Sequence, residues 1–420
     1  EPCSIKVTSR GKAAAGWLGS QRHPTSEFHS GALMADPTKH VQVVVVGGGF
    51  AGTYAAKELA RHGVEVAIID TNGYQTFQPM LYQAATGITA VSDIEYPLAD
   101  IPKVEAIKDT VTSVDLANSK VTLTSGNTIE ADYIVVATGA TVNFFGTTGA
   151  AEFAFPLYTS DDAVRIGQRG KQLAESGENF SVAVIGAGAT GVEISGAIID
   201  TLYDLYPRTF PGFKRENVTV HIIDRGAAPL AHMSESSQKY ATEVLTKADV
   251  NLHLGRGVTE VKSDSVTLDD GTVLAADVTI WAGGLSVHLP SIEPAPEVDS
   301  HGRVIIDPDL RISGKTNAYC IGDVSADRKS PLPQLGSVAK QQGIAVAHAI
   351  RRQLKGHEPK PFKYEDMGTM AMIRHDAATV DIGTSTHTVN GPVAFTMWLG
   401  LHAYVPPGAQ QRIQAVRSWA

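Results

Sequence analysis

Two glycine-rich segments have the residue types and spacing of loops that bind phosphate groups. The first comes between the apolar run Val41–Val46 and the segment Thr53–His62, whose composition is helical. Backbone amides at the start of such a helix favour a pyrophosphate. Gly47 permits the tight turn, Gly49 lets the backbone approach the phosphates, and Gly52 lets the helix pack close to the sheet. This pattern predicts a dinucleotide-binding site.

An acidic residue stands where a ribose would lie in such a site. The second apolar strand, Val64–Ile69, ends in Asp70, which follows Gly49 by 21 residues. A carboxylate at that position accepts hydrogen bonds from a ribose diol. Gly-x-Gly-x-x-Gly alone is weak evidence, but the preceding strand, the following helix and the acid at this distance make the pattern specific.

The same arrangement occurs a second time. Three glycines follow the apolar strand Ser181–Ile185, namely Gly186, Gly188 and Gly191. The next apolar strand ends in Asp224, and the interval before that strand, residues 201–217, contains two prolines and is predicted to be an inserted loop. The acid favours the unphosphorylated ribose of NAD, while the basic Arg225 beside it leaves NADP as the alternative.

An internal repeat connects the two loops. The segments Val121–Gly139 and Val266–Gly284 are each 19 residues long and share eight identical positions without a gap. Each predicts a hairpin with a glycine turn, followed by an apolar strand that ends in glycine. These segments lie 145 residues apart and the glycine loops lie 139 residues apart, so one α/β unit has been used twice.

Two such units on one chain resemble the flavoproteins with two dinucleotide-binding domains, the glutathione-reductase-like superfamily. The resemblance implies an α/β fold with two Rossmann-like domains, one for FAD and one for NAD. Segment Ala318–Asp323 is similar to the strand-Gly-Asp element whose acid contacts the ribityl chain of the flavin, which assigns the first copy to FAD. The residues assigned to FAD are Gly47, Gly49, Gly52, Asp70, Gln78, Thr138, Gly139 and Asp323, and those assigned to NAD are Gly186, Gly188, Gly191, Asp224 and Gly283.

The domain boundaries follow from the order of these segments. We predict a leader over residues 1–40, the first part of the FAD domain over 41–160, the NAD domain over 161–290, the second part of the FAD domain over 291–360 and a C-terminal region over 361–420. Residues 1–33 lack apolar periodicity and are expected to be an unstructured extension or an upstream artefact, with a cleaved targeting segment as the alternative.

The segment Tyr74–Gly87 narrows the resemblance. It is similar to the Phe-Gln-Pro-Leu-Leu-Tyr-Gln stretch of type II NADH dehydrogenases, the single-subunit NADH:quinone oxidoreductases that do not pump protons. Further stretches that resemble this family are Asn143–Gly146, Ala154–Tyr158, Thr190–Glu193, Gln341–Gly343 and Tyr364–Ala371. The resemblance implies hydride transfer from NADH to FAD and delivery of two electrons to a membrane quinone, either menaquinone or ubiquinone.

The cysteine and histidine content argues against dithiol redox chemistry and against a metal site. The chain has two cysteines, Cys3 in the leader and Cys320 in a predicted buried strand, so the dithiol chemistry of disulfide reductases and sulfide:quinone oxidoreductases is excluded. Cys320 is expected to be a small apolar core residue. Four histidines without ligand spacing are expected to be structural, and no metal site is predicted; they are His221, His232, His253 and His402.

The resemblance also assigns catalytic and quinone-binding residues. Glu193 matches the family's carboxylate near the nicotinamide and flavin; the alternative is an acid that stabilises a helix N-terminus. Gln342 is assigned a catalytic role, and Ser337, Lys340 and Gln341 are assigned to the quinone pocket, with a solvated helix face as the alternative. Three positions depart from the family pattern around that pocket, namely Ser337 for glutamine, Met367 for lysine and Arg374 for glycine.

The C-terminal region is expected to reach a lipid surface. Residues 395–405 are apolar and aromatic, Arg412 and Arg417 follow them, and no acid occurs after Asp381. In the family such a segment leads into amphipathic helices that lie on the membrane. The protein is therefore expected to be peripheral on the cytoplasmic face of the cell membrane, and a homodimer is a further expectation. The alternative for this segment is a core or dimer helix.

Composition limits the remaining functions. With 43% hydrophobic and 19% charged residues, the chain as a whole is folded rather than disordered. The 35 basic and 44 acidic residues give a net charge of −9, which argues against a nucleic-acid partner. Two alternatives keep the same flavin and NADH sites: electron transfer to a soluble acceptor, as in ferredoxin reductases, and NADH sensing, as in apoptosis-inducing-factor-like proteins.

Overall fold

The structure, a computed structural model, describes residues 38–383 and 387–419. Most of the predicted leader, including Cys3, therefore lies outside the described residues. The first strand begins at Thr38, so the last three residues predicted as leader belong to a sheet. The predicted α/β fold with two Rossmann-like domains is confirmed by the two sheets described below.

The helices and strands follow one another in three groups. The first group is β1 Thr38–Val46, α1 Phe50–Arg61, β2 Val66–Asp70, β3 Tyr74–Thr76, α2 Leu81–Ala85, β4 Glu95–Pro97, β5 Val104–Lys108, β6 Val111–Asp115, β7 Lys120–Leu123, β8 Thr128–Val136, β9 Ala140–Val142, α3 Ala150–Phe153 and β10 Ala154–Pro156. The second group is α4 Ser160–Ser176, β11 Phe180–Ile185, α5 Ala189–Asp200, α6 Tyr206–Thr209, β12 Val218–Asp224, α7 Glu235–Lys247, β13 Val250–Leu254, β14 Val258–Val261, β15 Ser265–Leu268, β16 Val273–Ala275, β17 Val278–Trp281 and β18 Leu285–Val287. The third group is β19 Ser291–Glu293, β20 Val304–Ile306, β21 Ala318–Cys320, β22 Ser325–Asp327, α8 Gly336–Gln353, β23 Thr369–Arg374, β24 Ala377–Ile382, β25 His387–Gly391, α9 Pro392–Tyr404 and α10 Ala409–Ser418.

The first sheet has eight strands in the order β19-β6-β7-β8-β1-β2-β5, with β21 also paired to β8. Strands β8, β1, β2 and β5 are parallel, and Val43 pairs with Val66 of β2 and with Tyr133 of β8. Val43, Val44 and Val45 are fully buried because the sheet is covered on both faces, which explains the continuous apolar run.

The second sheet is fully parallel, with five strands in the order β10-β17-β11-β12-β13. Its edge strand β10, at Ala154–Pro156, lies before residue 161, where we predicted the second domain to begin. The chain returns to the first sheet through β19, which pairs with β6. The two connections between the domains run antiparallel to each other as β9 and β18. Sheet membership of so short a strand depends on non-local pairing, which the sequence pattern does not contain.

The predicted repeat is visible as two equivalent hairpins. Strands β7 and β8 turn at Gly126, and strands β15 and β16 turn at Gly271, with φ angles of 86° and 85°. The hydrogen bonds match as well, because Gly126 N donates to Leu123 O and Gly271 N donates to Leu268 O. Both predicted hairpins are therefore confirmed.

The prediction of an inserted loop over residues 201–217 was wrong for its first half. The chain continues from α5 through a wide helical turn, Thr201–Leu205, into α6. Pro207 stands in the first turn of α6, where its missing amide costs no hydrogen bond. The ring of Tyr206 contacts Phe210 and Phe213 edge-on, at centroid distances of 5.2 and 5.5 Å. Pro207 therefore marks the start of a helix and not a loop.

Helices α1 and α8 form a close parallel pair on the first sheet. A Cβ atom at Gly343 of α8 would lie 2.4 Å from the carbonyl oxygen of Ala51, so only glycine allows this approach. The first residue of α8, Gly336, lies beside Phe50 at the start of α1. Both helices consequently begin at the same edge of the sheet, where the first glycine loop is.

The C-terminal region packs against the second domain. Strands β23, β24 and β25 form an antiparallel sheet, and a Cβ atom at Gly196 of α5 would lie 1.6 Å from Ile373 O of β23. Trp398 of α9 is fully buried in the same core as Ile194. In the described part of the chain, no helix combines the length and the apolar character that crossing a bilayer needs.

Candidate active site

Both glycine loops have the same backbone geometry. The amide of the first glycine donates to the carbonyl near the end of the neighbouring strand, from Gly47 to Ile69 and from Gly186 to Ile223, each over 2.8 Å. The φ angles of Gly47 and Gly186 are 105° and 103°, in the region that favours glycine. The duplication inferred from the sequence therefore extends to the conformation of the loops.

The third position of each loop leaves open space for a ligand. A Cβ atom at Gly49 or Gly188 would meet no atom within 4 Å. No side chain caps the helix that follows either residue, so the amides of the first turn remain available to an anion. By contrast, a Cβ atom at Gly52 or Gly191 would lie 1.9 or 1.8 Å from a loop carbonyl oxygen, so these glycines hold helix against loop. Both loops fit the pyrophosphate of a dinucleotide.

The acid after each loop also supports the loop itself. Asp70 Oδ2 accepts a hydrogen bond from Gly48 N over 2.8 Å, and Asp224 Oδ2 accepts one from Ala187 N over 2.7 Å. Asp70 Oδ1 accepts a further bond from the Asn72 amide. The sequence predicted only ribose recognition for these acids. The structure adds that each carboxylate fixes the glycine loop beside it.

Seven of the eight residues predicted for FAD line one cleft, which we call the first cleft. They are Gly47, Gly49, Asp70, Gln78, Thr138, Gly139 and Asp323. The eighth, Gly52, lies behind the loop. Burial raises the pKa of the Asp323 carboxyl to about 6, so it is ionised at neutral pH and can accept hydrogen bonds from ligand hydroxyls. Tyr158 and Asn72 line the same cleft and were not identified from the sequence.

The residues predicted for NAD come together at the carboxyl edge of the second sheet. Gly186 follows β11, Asp224 ends β12 and Gly283 follows β17. A Cβ atom at Gly186 would lie 3.0 Å from Gly283 Cα, so the two loops touch. This edge is where open parallel sheets bind dinucleotides.

Glu193 lies on α5, two residues after the second loop, and lines a cavity of about 550 Å³ that we call the Glu193 cavity. Its Oε1 accepts a hydrogen bond from Met372 N over 3.2 Å. Burial raises the pKa of Glu193 to about 8, against a smaller opposing effect of that bond. The carboxyl is therefore largely protonated at pH 7. An acid that served only to stabilise a helix N-terminus would instead be ionised.

A chain of polar groups on the wall of the Glu193 cavity was missed from the sequence. Trp419 Nε1 donates to Gln83 Oε1 over 3.1 Å, Gln83 Nε2 donates to Tyr82 OH over 3.2 Å, and Tyr82 OH contacts Met372 Sδ at 3.2 Å. Burial and the nearby Glu193 raise the pKa of Tyr82 well above its usual value. The available signal was the Tyr82-Gln83 pair inside the segment Tyr74–Gly87.

The residues predicted for catalysis and quinone binding on α8 do not meet Glu193. Gln342 is buried, and its Oε1 accepts a hydrogen bond from Gly322 N over 2.6 Å, so it holds the turn that carries Asp323. Gln342 thus supports the turn beside the first cleft, and it does not line the Glu193 cavity. The group that the Gln342 side-chain oxygen binds, the backbone amide of Gly322, is 20 residues away in sequence, and no sequence motif specifies this contact.

The three predicted quinone residues are likewise engaged elsewhere and do not line the Glu193 cavity. Gln341 exchanges two hydrogen bonds with the backbone of Glu365. Ser337 Oγ lies 3.1 Å from Tyr364 OH, and the Lys340 amine lies 5.1 Å from the centre of the Tyr54 ring.

The structure shows the surroundings of two residues that depart from the family pattern, Arg374 and Met367. The guanidinium of Arg374 pairs with Asp200 Oδ1 at 2.7 Å, and both residues line the Glu193 cavity. Met367 is 73% exposed.

Cys320 is fully buried as predicted, and burial raises the pKa of its thiol. The histidines expected to be structural include His402, whose ring stacks on Trp398 at a centroid distance of 3.8 Å.

Comparison with known proteins agrees with this geometry. Residues 41–343 match the pyridine nucleotide-disulphide oxidoreductase family. The chain is similar to a type II NADH:quinone oxidoreductase, Ndh, of Mycobacterium tuberculosis, with 32% identity over 92% of this chain and 88% of that protein. It is also similar to a type II NADH:quinone oxidoreductase of Staphylococcus haemolyticus, with 27% identity over 81% of this chain and 90% of that protein.

Among solved structures, the fold is similar to that of NDH2 from Plasmodium falciparum in complex with NADH. The TM-score is 0.84 at 16% identity, covering 90% of this chain and 97% of that one. Because the sequence match to the mycobacterial enzyme covers nearly all of both proteins, this chain belongs to the type II NADH:quinone oxidoreductases, within the pyridine nucleotide-disulphide oxidoreductase family.

Proposed function

We propose that the first cleft holds FAD, that the second glycine loop holds NADH, and that electrons leave through the Glu193 cavity to a quinone without ion pumping. The observation that carries this proposal is the pair of equivalent loops, each open at its third position, Gly49 in the first and Gly188 in the second. FAD, when bound, supplies the redox chemistry by accepting the hydride of NADH and passing two electrons on. The protein supplies placement, charge and exclusion of water.

Several residues are proposed to hold the two dinucleotides. The amides at the start of α1 and α5 bind the pyrophosphates, and the acids Asp70 and Asp224 contact the riboses. Asp323 accepts hydrogen bonds from the ribityl hydroxyls, and Gln342 keeps the Asp323 turn in place. Asp224 also favours NADH over NADPH, because its carboxylate would repel a 2′-phosphate.

Glu193 is proposed to supply a proton to the reduced acceptor. Its Oε1 is occupied by the Met372 amide, which leaves Oε2 as the oxygen that carries the proton at neutral pH. A general acid works best when its pKa is near the working pH, and this one is about 8. Because Glu193 lines the cavity, it can pass this proton directly to a molecule bound there.

The Glu193 cavity is the proposed quinone site. Its volume, about 550 Å³, is within the range of small-molecule sites. Phe395, Leu399 and Trp419 line it and come from the C-terminal helices. Tyr82 lies one helical turn after Gln78, which lines the first cleft, so the cavity and the FAD site share one short segment of chain.

Steady-state kinetics can test this assignment. We expect rapid oxidation of NADH, and much slower oxidation of NADPH, with menaquinone or ubiquinone analogues as acceptors. Leu399→Trp narrows the proposed cavity and should raise the KM for quinone about tenfold while leaving ferricyanide reduction unchanged. Ser337→Ala is the matched control at the alternative position on α8 and should leave both reactions unchanged. A quinone effect confined to Ser337→Ala would move the site to α8, and reduction of soluble acceptors alone would favour the ferredoxin-reductase-like alternative.

The outer face of α9 is proposed to lie on the cytoplasmic surface of the membrane. Val393, Met397, Leu401 and Tyr404 recur every three or four residues and are exposed, which places them on one side of the helix. Arg412 and Arg417 of the adjacent α10 add positive charge, and no acid follows Asp381. An apolar stripe with basic residues beside it matches anionic lipid. The cytoplasmic side is proposed because NADH is a cytoplasmic substrate.

Flotation with phosphatidylglycerol vesicles tests this surface. We expect the holoenzyme to float with the vesicles and Val393→Glu to lose most of that binding, because a carboxylate would have to enter the lipid interface. Val273→Glu is the matched control, since Val273 is 63% exposed and Val393 is 64% exposed. If both variants float like the wild type, the face does not bind lipid. A change in molecular mass for Val393→Glu alone, measured by light scattering, would identify it as a homodimer contact.

A further inference from the structure

We propose that Glu58, His62 and His348 form a binding site for a divalent first-row transition metal. An ion bound there would join the end of helix α1 to helix α8, and Zn²⁺ is the probe used to test it. These three residues come together outside the first cleft and the Glu193 cavity. Glu58 lies on the last turn of α1, and His62 is the residue that follows the helix; its ring nonetheless turns back to Glu58, with Nε2 at 2.9 Å from Oε1. His348 comes from α8, which packs parallel to α1.

The distances match those of a metal site. Glu58 Oε1 lies 2.9 Å from His62 Nε2 and 3.3 Å from His348 Nε2. All three ligand atoms lie within 4.8 Å of one another. In a tetrahedral zinc site with bonds of about 2.0–2.1 Å, neighbouring ligand atoms are about 3.3 Å apart. Small rotations of the side chains therefore suffice to place one ion at equal distance from all three atoms.

The donor set selects the class of metal. Two imidazoles and one carboxylate suit Zn²⁺, Co²⁺, Ni²⁺ or Cu²⁺, whereas Mg²⁺ and Ca²⁺ prefer oxygen ligands. The Arg61 guanidinium lies 3.4 Å from Glu58 Oε2, so the other oxygen, Oε1, is the one turned to both histidines. The His348 side chain is 55% exposed, which lets the ion enter and leaves a position for water as a fourth ligand.

Without metal, the same three residues make hydrogen bonds from two imidazoles to one carboxylate oxygen, and this is the competing explanation. The two explanations differ in what the site does to the helix pair. Helix α1 starts at the first glycine loop, and α8 carries Gln342, which holds the Asp323 turn. A bound ion would cross-link the two helices at a distance from the cofactor and would stabilise the folded holoenzyme by mass action.

Calorimetric titration of the untagged holoenzyme with zinc chloride tests the proposal. We expect one Zn²⁺ per chain, at least about tenfold weaker binding for His62→Asn and for His348→Asn, and unchanged binding for the control His253→Asn. His253 is a matched control because it also pairs with a histidine, His221, at 3.0 Å. Zinc should raise the thermal midpoint of the wild type and of the control, and of neither site variant.

X-ray absorption of the zinc-loaded protein identifies the ligands directly, and two imidazoles are expected. Equal zinc affinity in all four proteins, or no binding by the wild type, would overturn the proposal and leave the hydrogen-bonded cluster as the explanation. A loss confined to His253→Asn would assign zinc to the other histidine pair. Circular dichroism of each variant separates a lost ligand from a lost fold, and the exposure of His348 makes its variant the safer of the two.

Discussion

Gly49→Val should yield a folded protein that does not retain FAD. The φ angle of Gly49 is −69°, which any residue adopts, and a Cβ atom there meets nothing within 4 Å, so the substitution strains neither backbone nor core. The valine side chain instead fills the space proposed for the pyrophosphate. Two lost hydrogen bonds to phosphate, at about 1.5–3 kcal/mol each, correspond to about 10²–10⁴ in affinity. The measurement is the absorption spectrum of the purified protein, together with its circular dichroism.

Gly188→Val is the matched variant, because Gly188 has a φ angle of −69° and the same open space. We expect this protein to stay yellow, to have a KM for NADH raised by about 10² or more, and to accept electrons from dithionite as the wild type does. The two variants together assign a cofactor to each loop. A colourless Gly188→Val protein beside a yellow Gly49→Val protein would reverse the assignment.

Glu193→Gln should slow quinone reduction by about 10²–10⁴ at saturating NADH, because a buried general acid is removed while the Met372 contact is kept. In the wild type, the carboxyl carries its proton below the pKa of about 8, so turnover should fall as the pH rises through about 8. In Glu193→Gln this fall should be absent. Ferricyanide takes up electrons without protons, so its reduction should change far less. Equal losses with both acceptors would remove the proton-donor role.

The same substitution should make the protein more stable in alkali, which separates lost activity from lost folding. The pKa of a glutamate is about 4.3 in the unfolded chain and about 8 for Glu193 in the folded protein. Between these values only the folded state binds the proton, so the stability of the wild type decreases with rising pH, by up to about 1.4 kcal/mol per pH unit. Glutamine does not titrate. Thermal midpoints should therefore favour Glu193→Gln near pH 8, and this advantage should shrink toward pH 5.

The dinucleotide-binding part of the molecule could be predicted because its signals are local. A tight turn at Gly47 and a close helix approach at Gly52 each require glycine, and the acid at the strand end has a fixed distance from them. The repeated hairpins added independent support. Seven of the eight residues assigned to FAD, from these signals and from the family resemblance together, line one cleft. Pro207 shows that such a signal can be ambiguous, since proline occurs both in loops and in the first turn of a helix.

Residues whose roles depend on distant partners could not be placed in this way. Gln342 has the polarity of a catalytic group, but its partner is the amide of Gly322. The short strand β10 belongs to the second sheet only because it pairs with Thr279, Ile280 and Trp281. Pairing and packing of this kind are non-local, and sequence periodicity carries no information about which partner is chosen.

The two glycine loops, their acids and the family could thus be recognised from the amino-acid sequence, since each depends on residue types at short, fixed spacing. Only the tertiary structure decided that Glu193 is protonated at neutral pH, because desolvation depends on every group packed around the carboxyl. It alone also brought His348 to Glu58 and His62, across the contact between α1 and α8, although His348 and Glu58 are 290 residues apart in sequence.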